Sequence, residues 1–511
     1  MASTTEFAAE VRDAFADPAV LAERVEEEAE RLKRDVDRGI FNNSQSIVGL
    51  EYEFYGVDEE TKALRRVPRE LLRLIGFEKE IGLHNAEMNT SPQPLNGYGL
   101  TTQRTEVQAR LEAALARTRA EGITLVSDGL WTIPPTGEST IDYLTDTVEH
   151  DGITLTTNMS GDVRYHAMSN SPYEPRMAID APHVSCSAET VLLEALITSI
   201  QPHYQVSHAP DLPASFRYAL RAAGPLLALG VNAPFFPPEL YDDGVDPEAV
   251  LEDGWAEQRI DVFETVLNPA DWRRGDRERD GKVRFPRDLE TVAEAIDRLV
   301  ADEPIVPQTV DGCGRFDDRY AHLEYKHGSY WRWVRPVFDA PSESAANARI
   351  EFRPLPAQPT IRDSVAFLAA FAGLMESLPR REHPVAALPW EDARENFYAA
   401  ARDGLAADLT WITADGTETT NLEELYDDLF AAARDGLELR AISPAEVDDH
   451  LRLLEARVDR GVTPASWKRQ VVRRRLEAGD SLAEAITGMG RSYVDHQSET
   501  LIDGTFLEWL E

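Results

Sequence analysis

Residues 48–58, VGLEYEFYGVD, alternate with the two-residue period of a β-strand. Val48, Leu50, Tyr52 and Phe54 fall on one face, and Glu51, Glu53 and Tyr55 on the other. Same-face neighbours on a strand stand about 7 Å apart, so two carboxylates lie side by side opposite an aromatic wall. The pattern recurs three times. In HNAEMNT, Asn85, Glu87 and Asn89 oppose Ala86 and Met88. In SIQPHYQVS, Gln201, His203, Gln205 and Ser207 oppose Pro202, Tyr204 and Val206; in ARIEFRPL, Arg349, Glu351 and Arg353 oppose Ile350 and Phe352. One polar row is the water-facing side of an antiparallel sheet. Four rows with carboxylates, an imidazole and guanidiniums predict a single concave sheet that encloses ions.

Composition weighs on the other side for any one pair. The chain has 91 Asp and Glu against 52 Lys and Arg, a formal charge of −39. Its lysines are Lys33, Lys62, Lys79, Lys282, Lys326 and Lys468. An acidic, lysine-poor surface suits molar salt, where the Debye length is roughly 3 Å and self-repulsion is screened. The expected setting is the cytoplasm of a halophile. The same charge argues against nucleic acid and anionic membranes as partners. The opening MASTTEFAAEVRDAF lacks a basic segment followed by an apolar one, so no signal peptide is expected. No run of 18 apolar residues suggests a membrane helix. Cys186 and Cys313 form no C-x-x-C motif, which fits a reducing compartment, and Cys313, His322 and His327 match no standard zinc spacing.

Along the chain, residues 1–40 read as acidic amphipathic helices. Residues 41–380 mix short strands and helices, cut by TSPQPLNGYG, NAPFFPPEL and DEPIVPQ. Helical periodicity there covers 103–121 and 361–379. Residues 381–511 form a helical C-terminal region, with periodic segments at 391–405, 421–435, 444–460, 464–477 and 481–496. Residues 268–285, NPADWRRGDRERDGKVRF, read as a polar surface insertion. No internal repeat is present.

Carboxylates crowded on a dry face repel one another and take up protons unless a cation intervenes. Oxygen ligands with one imidazole suit Mg²⁺ or Mn²⁺. Such ions also bind phosphate oxygens, and arginines would neutralise a phosphoryl group in transfer. No G-x-x-x-x-G-K-[ST] loop exists, and GCGRFD lacks the third glycine of a dinucleotide fingerprint. A nucleotide would therefore be held by metals and arginines on the sheet.

In this order the motifs resemble the glutamate–cysteine ligase-type carboxylate–amine ligases, which share the glutamine synthetase catalytic fold. G-x-E-x-E stands as Gly49, Glu51 and Glu53. The second acidic strand carries Glu80 and Glu87 in EIGLHNAEMNTSP, and the central strand carries His203 in HYQVS. The segment GSYWRWVRP supplies Trp331, Trp333 and Arg335, with His327 just before it. Glu351 and Arg353 close the set ahead of an apolar helix, and LLALGVNAPFF is a weaker echo. The likeness spans roughly residues 46–505. Many relatives have His-x-His on the central strand, where this chain has His203 and Gln205. His183 in PHVSCS competes for the metal, although that stretch reads as the start of a helix capped by Ser185 or Ser187.

The resemblance implies an α+β fold: a glutamine synthetase-like curved antiparallel sheet lining the site, packed with helices, plus the helical C-terminal region. It implies an ATP-dependent ligase with Glu51, Glu53, Glu80, Glu87, His203 and Glu351 on two or three Mg²⁺ (or Mn²⁺) ions. Arg353 and Arg335 would stabilise phosphoryl charge, and Asn85, Gln205, Lys326, His327 and Trp331 would touch substrate or nucleotide. Glutamate and cysteine would be the substrates, joined through γ-glutamyl phosphate. The same chemistry on another acid or amine, and a non-catalytic binding member of the fold, stay open.

Overall fold

A computed structural model describes residues 4–272, 281–312 and 314–510. Its centre is a seven-stranded antiparallel sheet. Strand β1 (Ile47–Asp58) is the longest, and β2 (Asn85–Asn89), β3 (Gln93–Pro94) and β4 (Ile123–Val126) pair along it. Two hairpins lie outside this sheet: β5 (Thr147–His150) with β6 (Ile153–Thr156), and β7 (Ala178–Ala181) with β8 (Val184–Ser187). Strands β9 (Ile200–Gln205), β10 (Val334–Asp339) and β11 (Asn347–Phe352) complete the order β10-β11-β9-β1-β2.

The alternation in β1 decides which way the sheet faces. Val48, Leu50, Tyr52 and Phe54 are buried, and the helix Ile361–Arg380 lies on their side with its residues from Val365 to Leu378 buried. Phe352 stacks on Phe371 of that helix at 4.5 Å between ring centroids. The carboxylate row is left on the opposite face. The helix Leu422–Leu439 crosses behind in backbone contact, since a Cβ on Gly436 would come within 1.8 Å of the Gly373 carbonyl oxygen. Only glycine permits that approach.

The main apolar core runs from Ala8 to Trp509, and a smaller cluster around Phe235, Val472 and Met489 lies apart from it. The helix Pro18–Asp37 packs on Val292–Ala301 and Ala321–His327, and Glu28 Oε1 lies 2.7 Å from His322 Nδ1. At the other end, the helices Pro444–Arg460, Pro464–Glu477 and Leu482–Thr500 reach back to the sheet. Arg457, fully buried, donates to Asp363 (2.8 Å), Gln358 Oε1 (2.9 Å) and the Leu229 carbonyl (2.9 Å). Among the described residues, no helix is long and apolar enough to cross a membrane.

Two sequence expectations are corrected. The segment after His183 is the strand β8, and the following 3₁₀ helix Val191–Leu196 is capped by Thr190. Val184-Ser-Cys-Ser187 alternates well enough to pair with β7, and His183 occupies the turn at φ 63°. Residues 268–285 are not a loose insertion at their flanks. Asn268 and Val283 are buried and joined by two hydrogen bonds, with Trp272 and Phe285 beside them in the interior. The polar residues that suggested a loop are concentrated at 273–280, outside the described residues, as is Cys313.

Removing one member of a fully buried ion pair strands the other in a dry interior. Arg457→Leu should therefore lower unfolding free energy by about 3–5 kcal/mol in urea titration. A loss under about 1 kcal/mol would mean that the pair is not buried as described.

Candidate active site

Strand register assembles the polar rows into one site. Glu53 faces Glu87 across β1 and β2, His203 faces Gly49 and Glu351 on either side of β9, and Arg335 faces Glu351 across β10 and β11. His203 Nε2 lies 3.1 Å from Glu51 Oε1. Ligand atoms of Glu51, His203 and Glu351 all fall within 4.8 Å of one another. His203 Nδ1 accepts from Arg349 Nε at 3.1 Å, which turns Nε2 toward the carboxylates.

Glu351 Oε1 accepts from Arg335 Nε (2.8 Å) and from an Arg353 terminal nitrogen (2.6 Å), so Oε2 is the oxygen left for a ligand. Burial pushes Glu351 upward, but Arg335 and Arg353 overcome it and hold its carboxyl well below the ordinary range. The same Arg353 nitrogen donates to Gln201 Oε1 at 2.5 Å, while its Nε is buried without a partner.

A second group of acids lies beside this one. Glu53 accepts from the Ser199 backbone N–H (2.7 Å) and from Gln201 Nε2 (2.9 Å). Burial and the facing Glu87 still push it up to about 7. Glu80, in the loop before β2, is pushed up to about 7 by burial, with Glu53 and Glu194 adding to the rise. Glu87 is driven well above its ordinary value by burial and by Glu80, with which it shares a hydrogen bond. A hard divalent cation fits this donor set. It would replace the shared protons of Glu53, Glu80 and Glu87, and it would engage the buried His203 Nε2, which faces Glu51 Oε1.

Two cavities open on this face and meet at Glu51. One, of about 190 Å³, is lined by Glu53, Glu80, Glu87 and Arg353 and walled by Phe263 and Trp331. The other, of about 180 Å³, lies past His203 and is lined by Gln205, Asn89, Thr90, Arg349 and Asp339.

Several expected contacts lie elsewhere. Lys326 Nζ donates to the Val300 carbonyl at 2.5 Å, behind the site. Asn85 is buried and accepts from the Gly82 N–H at 3.2 Å, holding the turn before β2. His327 Nε2 lies 3.0 Å from the Pro336 carbonyl, and its own carbonyl accepts from Arg335, so it braces the arginine. Burial and Arg335 push its imidazole down to about 3. Arg335 itself sits behind Glu351 and lines neither cavity. His183 is bound to Asp253 at 2.8 Å, apart from the cluster. Glu194 and Arg164 line the first cavity and were not singled out from the sequence. Glu194 carried a signal, as the lone charge in the run VLLEALI; Arg164 carried none.

The sequence profile described as glutamate-cysteine ligase family 2 matches residues 47–496. The chain belongs to this family. Its members' chemistry makes it an ATP-dependent ligase that joins a carboxylate to an amine in an amide bond. A search of curated proteins finds no match. A glutamate–cysteine ligase from Francisella tularensis, solved with AMP, has a similar fold: TM-score 0.53 and 13% identity, covering 90% of this chain and 91% of that one. A bifunctional glutathione synthetase from Pasteurella multocida aligns at TM-score 0.48 and 12% identity over 92% of this chain and 55% of its own. The ligase PafA, solved in complex with the ubiquitin-like protein Pup, aligns at 0.42 and 13% over 88% and 72%.

The raised acids give the ligase a pH signature. Glu53 and Glu80 have ordinary values of 4.5 and reach about 7 when folded, so the native state holds protons that the unfolded chain has released. Their contribution favours the fold below the lower value and is lost as pH rises through the upper one. With EDTA present, the unfolding temperature should fall between about pH 5 and about pH 8. Glu53→Gln should flatten that slope, and Mg²⁺ should raise the wild-type unfolding temperature at the upper pH. A cation-free stability that rises across this interval would contradict the arrangement.

Proposed function

We propose that this ligase is a glutamate–cysteine ligase, which phosphorylates the γ-carboxylate of glutamate with ATP and passes the acyl group to the amine of cysteine. The meeting of two cavities at Glu51 carries this reading. A nucleotide in the cavity past His203 and an acid in the cavity beside Glu53 would meet where Glu51, His203 and Glu351 converge. The AMP bound by the Francisella enzyme supports a nucleotide in such a fold.

Mg²⁺ held by Glu51, His203 and Glu351, and by Glu53, Glu80 and Glu87, would screen the triphosphate from the attacking carboxylate. The protein's own groups do the rest. Arg353 is fixed by Glu351 and Gln201 through one nitrogen, which leaves its buried, unpartnered Nε for an oxygen of the transferring phosphoryl group. Arg335 keeps Glu351 ionised and in place. Phe263 and Trp331 wall off water, which would otherwise hydrolyse the acyl phosphate. Residues 41–380 would carry the whole reaction, with residues 1–40 and 381–511 packed around them. The acidic, lysine-poor surface supports a cytoplasm rich in KCl.

Trapping tests the intermediate directly. With glutamate, ATP, Mg²⁺ and molar KCl but no cysteine, hydroxylamine should yield γ-glutamyl hydroxamate; cysteine should then outcompete ammonium as acceptor. Arg353→Lys, which replaces a planar fork by a point charge, should lower kcat by about 2–4 kcal/mol in barrier and abolish trapping. His203→Ala should cost most of the activity and His183→Ala little. Failure of any carboxylic acid to give a hydroxamate would remove the ligase reaction's central intermediate, and a reversed order of the two histidines would move the metal site.

A further inference from the structure

The cavity beside Glu53 holds two charged groups that the phosphoryl chemistry leaves unused. Arg164, in the short helix Val163–Ser169, lines it. Its guanidinium lies over the Tyr325 ring, 4.9 Å from the centroid, and among the described residues makes no hydrogen bond or ion pair. The neighbouring Asp162 carboxylate is taken by Lys79 at 2.9 Å. Gly328 makes the room, because a Cβ there would come within 2.8 Å of both terminal nitrogens of Arg164. The other guanidinium on this wall, Arg353, is bound to Glu351. With Arg353 committed to Glu351 and to the phosphoryl group, Arg164 is, among the described residues that line the cavity, the guanidinium left for a further anionic group.

Glu194, in the 3₁₀ helix Val191–Leu196, is its counterpart. Among the described residues its carboxylate has no hydrogen-bond or ion-pair partner. Burial, with Glu53 adding to it, pushes Glu194 up to about 8 against the pull of Arg353 and Arg259, neither of which bonds to its carboxylate. An ammonium group in the cavity would supply that contact.

We propose that Arg164 and Glu194 clamp the α-amino-acid end of the acid substrate, Arg164 taking the α-carboxylate and Glu194 the α-ammonium. The side-chain carboxylate is then left to face Arg353 and the Glu51–His203–Glu351 cluster. This rests on the ligase reading above and names the groups that choose its acid. A guanidinium fork matches a carboxylate with two parallel hydrogen bonds. Phe263 and Leu267 give the intervening methylenes an apolar wall. The acid so selected is a dicarboxylic amino acid, distinguished from a simple diacid by Glu194 and from a monocarboxylic amine by Arg164.

Truncated ligands separate the two contacts. Glutarate lacks the α-ammonium and 4-aminobutyrate lacks the α-carboxylate. Binding of each, and of glutamate, to the full chain is measured by calorimetry in MgCl₂ and KCl, with hydroxamate trapping run in parallel. Wild type should bind glutamate about ten- to hundredfold tighter than either truncated ligand, the worth of one charged hydrogen-bonded contact. Arg164→Gln should lose that factor for glutamate and glutarate and leave 4-aminobutyrate unchanged. Glu194→Gln should lose it for glutamate and 4-aminobutyrate and leave glutarate unchanged. Gly328→Ala, which keeps the arginine but displaces it, should reproduce the Arg164→Gln pattern. Equal weakening of all three ligands, or no weakening of glutamate, overturns the clamp. Selective losses without any hydroxamate would uphold the clamp and sink the ligase chemistry, while hydroxamate formation without selective losses would do the reverse.

Discussion

Glu53 and Glu87 face each other across β1 and β2 with Glu80 and Glu194 close by, all largely withdrawn from water. Carboxylates so placed repel strongly, because little solvent stands between them. The surrounding structure answers that repulsion piece by piece. Ser199 and Gln201 donate to Glu53, Asn89 donates to Glu87, and Arg335 and Arg353 converge on Glu351. These donors come from backbone and side chains of strands held rigid by the helix Ile361–Arg380 beneath them. A looser support would let the acids drift apart into water and lose the geometry. The apolar face and the acidic face are two sides of one requirement.

That requirement explains what could be read from the chain alone. Period-two alternation assigns each strand residue to a face, and antiparallel pairing then aligns the rows, so Glu51, Glu53, Glu87, His203, Glu351 and Arg353 were legible as one surface. The long helices were legible for the same reason, through their 3.6-residue period. Contacts from outside strands were not. Lys326 and His327 sit next to the tryptophan segment in sequence, yet helix geometry turns Lys326 toward Val300 and His327 toward Pro336. Asn85 shares the face of Glu87 but is consumed by its own turn. Serines near His183 could begin a helix or sit in a strand, and pairing with β7, invisible locally, decided for the strand. Arg164 reaches the cavity only because Gly328, distant in sequence, leaves a gap for it. No local pattern announces such a gap.

The division of labour among the arginines follows from burial. Arg335 and Arg353 both bind Glu351 Oε1, but Arg335 is spent on backbone carbonyls as well, whereas Arg353 keeps a buried donor free beside the cavity. Two guanidiniums on one carboxylate are thus differently placed, one bound to the acid and to backbone, the other with a hydrogen-bond donor left over.

The grip of the last helices on the sheet has a consequence for how the chain reaches this state. The Ser127 N–H, just past β4, donates to the Gln497 side chain, and its carbonyl accepts from Gln497 and Tyr493, some 370 positions later in sequence. Lys468 reaches the adjacent Asp128 from the same region. During synthesis, the end of β4 emerges long before the groups that cover it. A contact this remote in sequence closes slowly, since most of the chain must already be ordered to bring its ends together. The cover over the end of β4 is thus made only once residues as far as Gln497 have been synthesised, and until then that end of the sheet lies open.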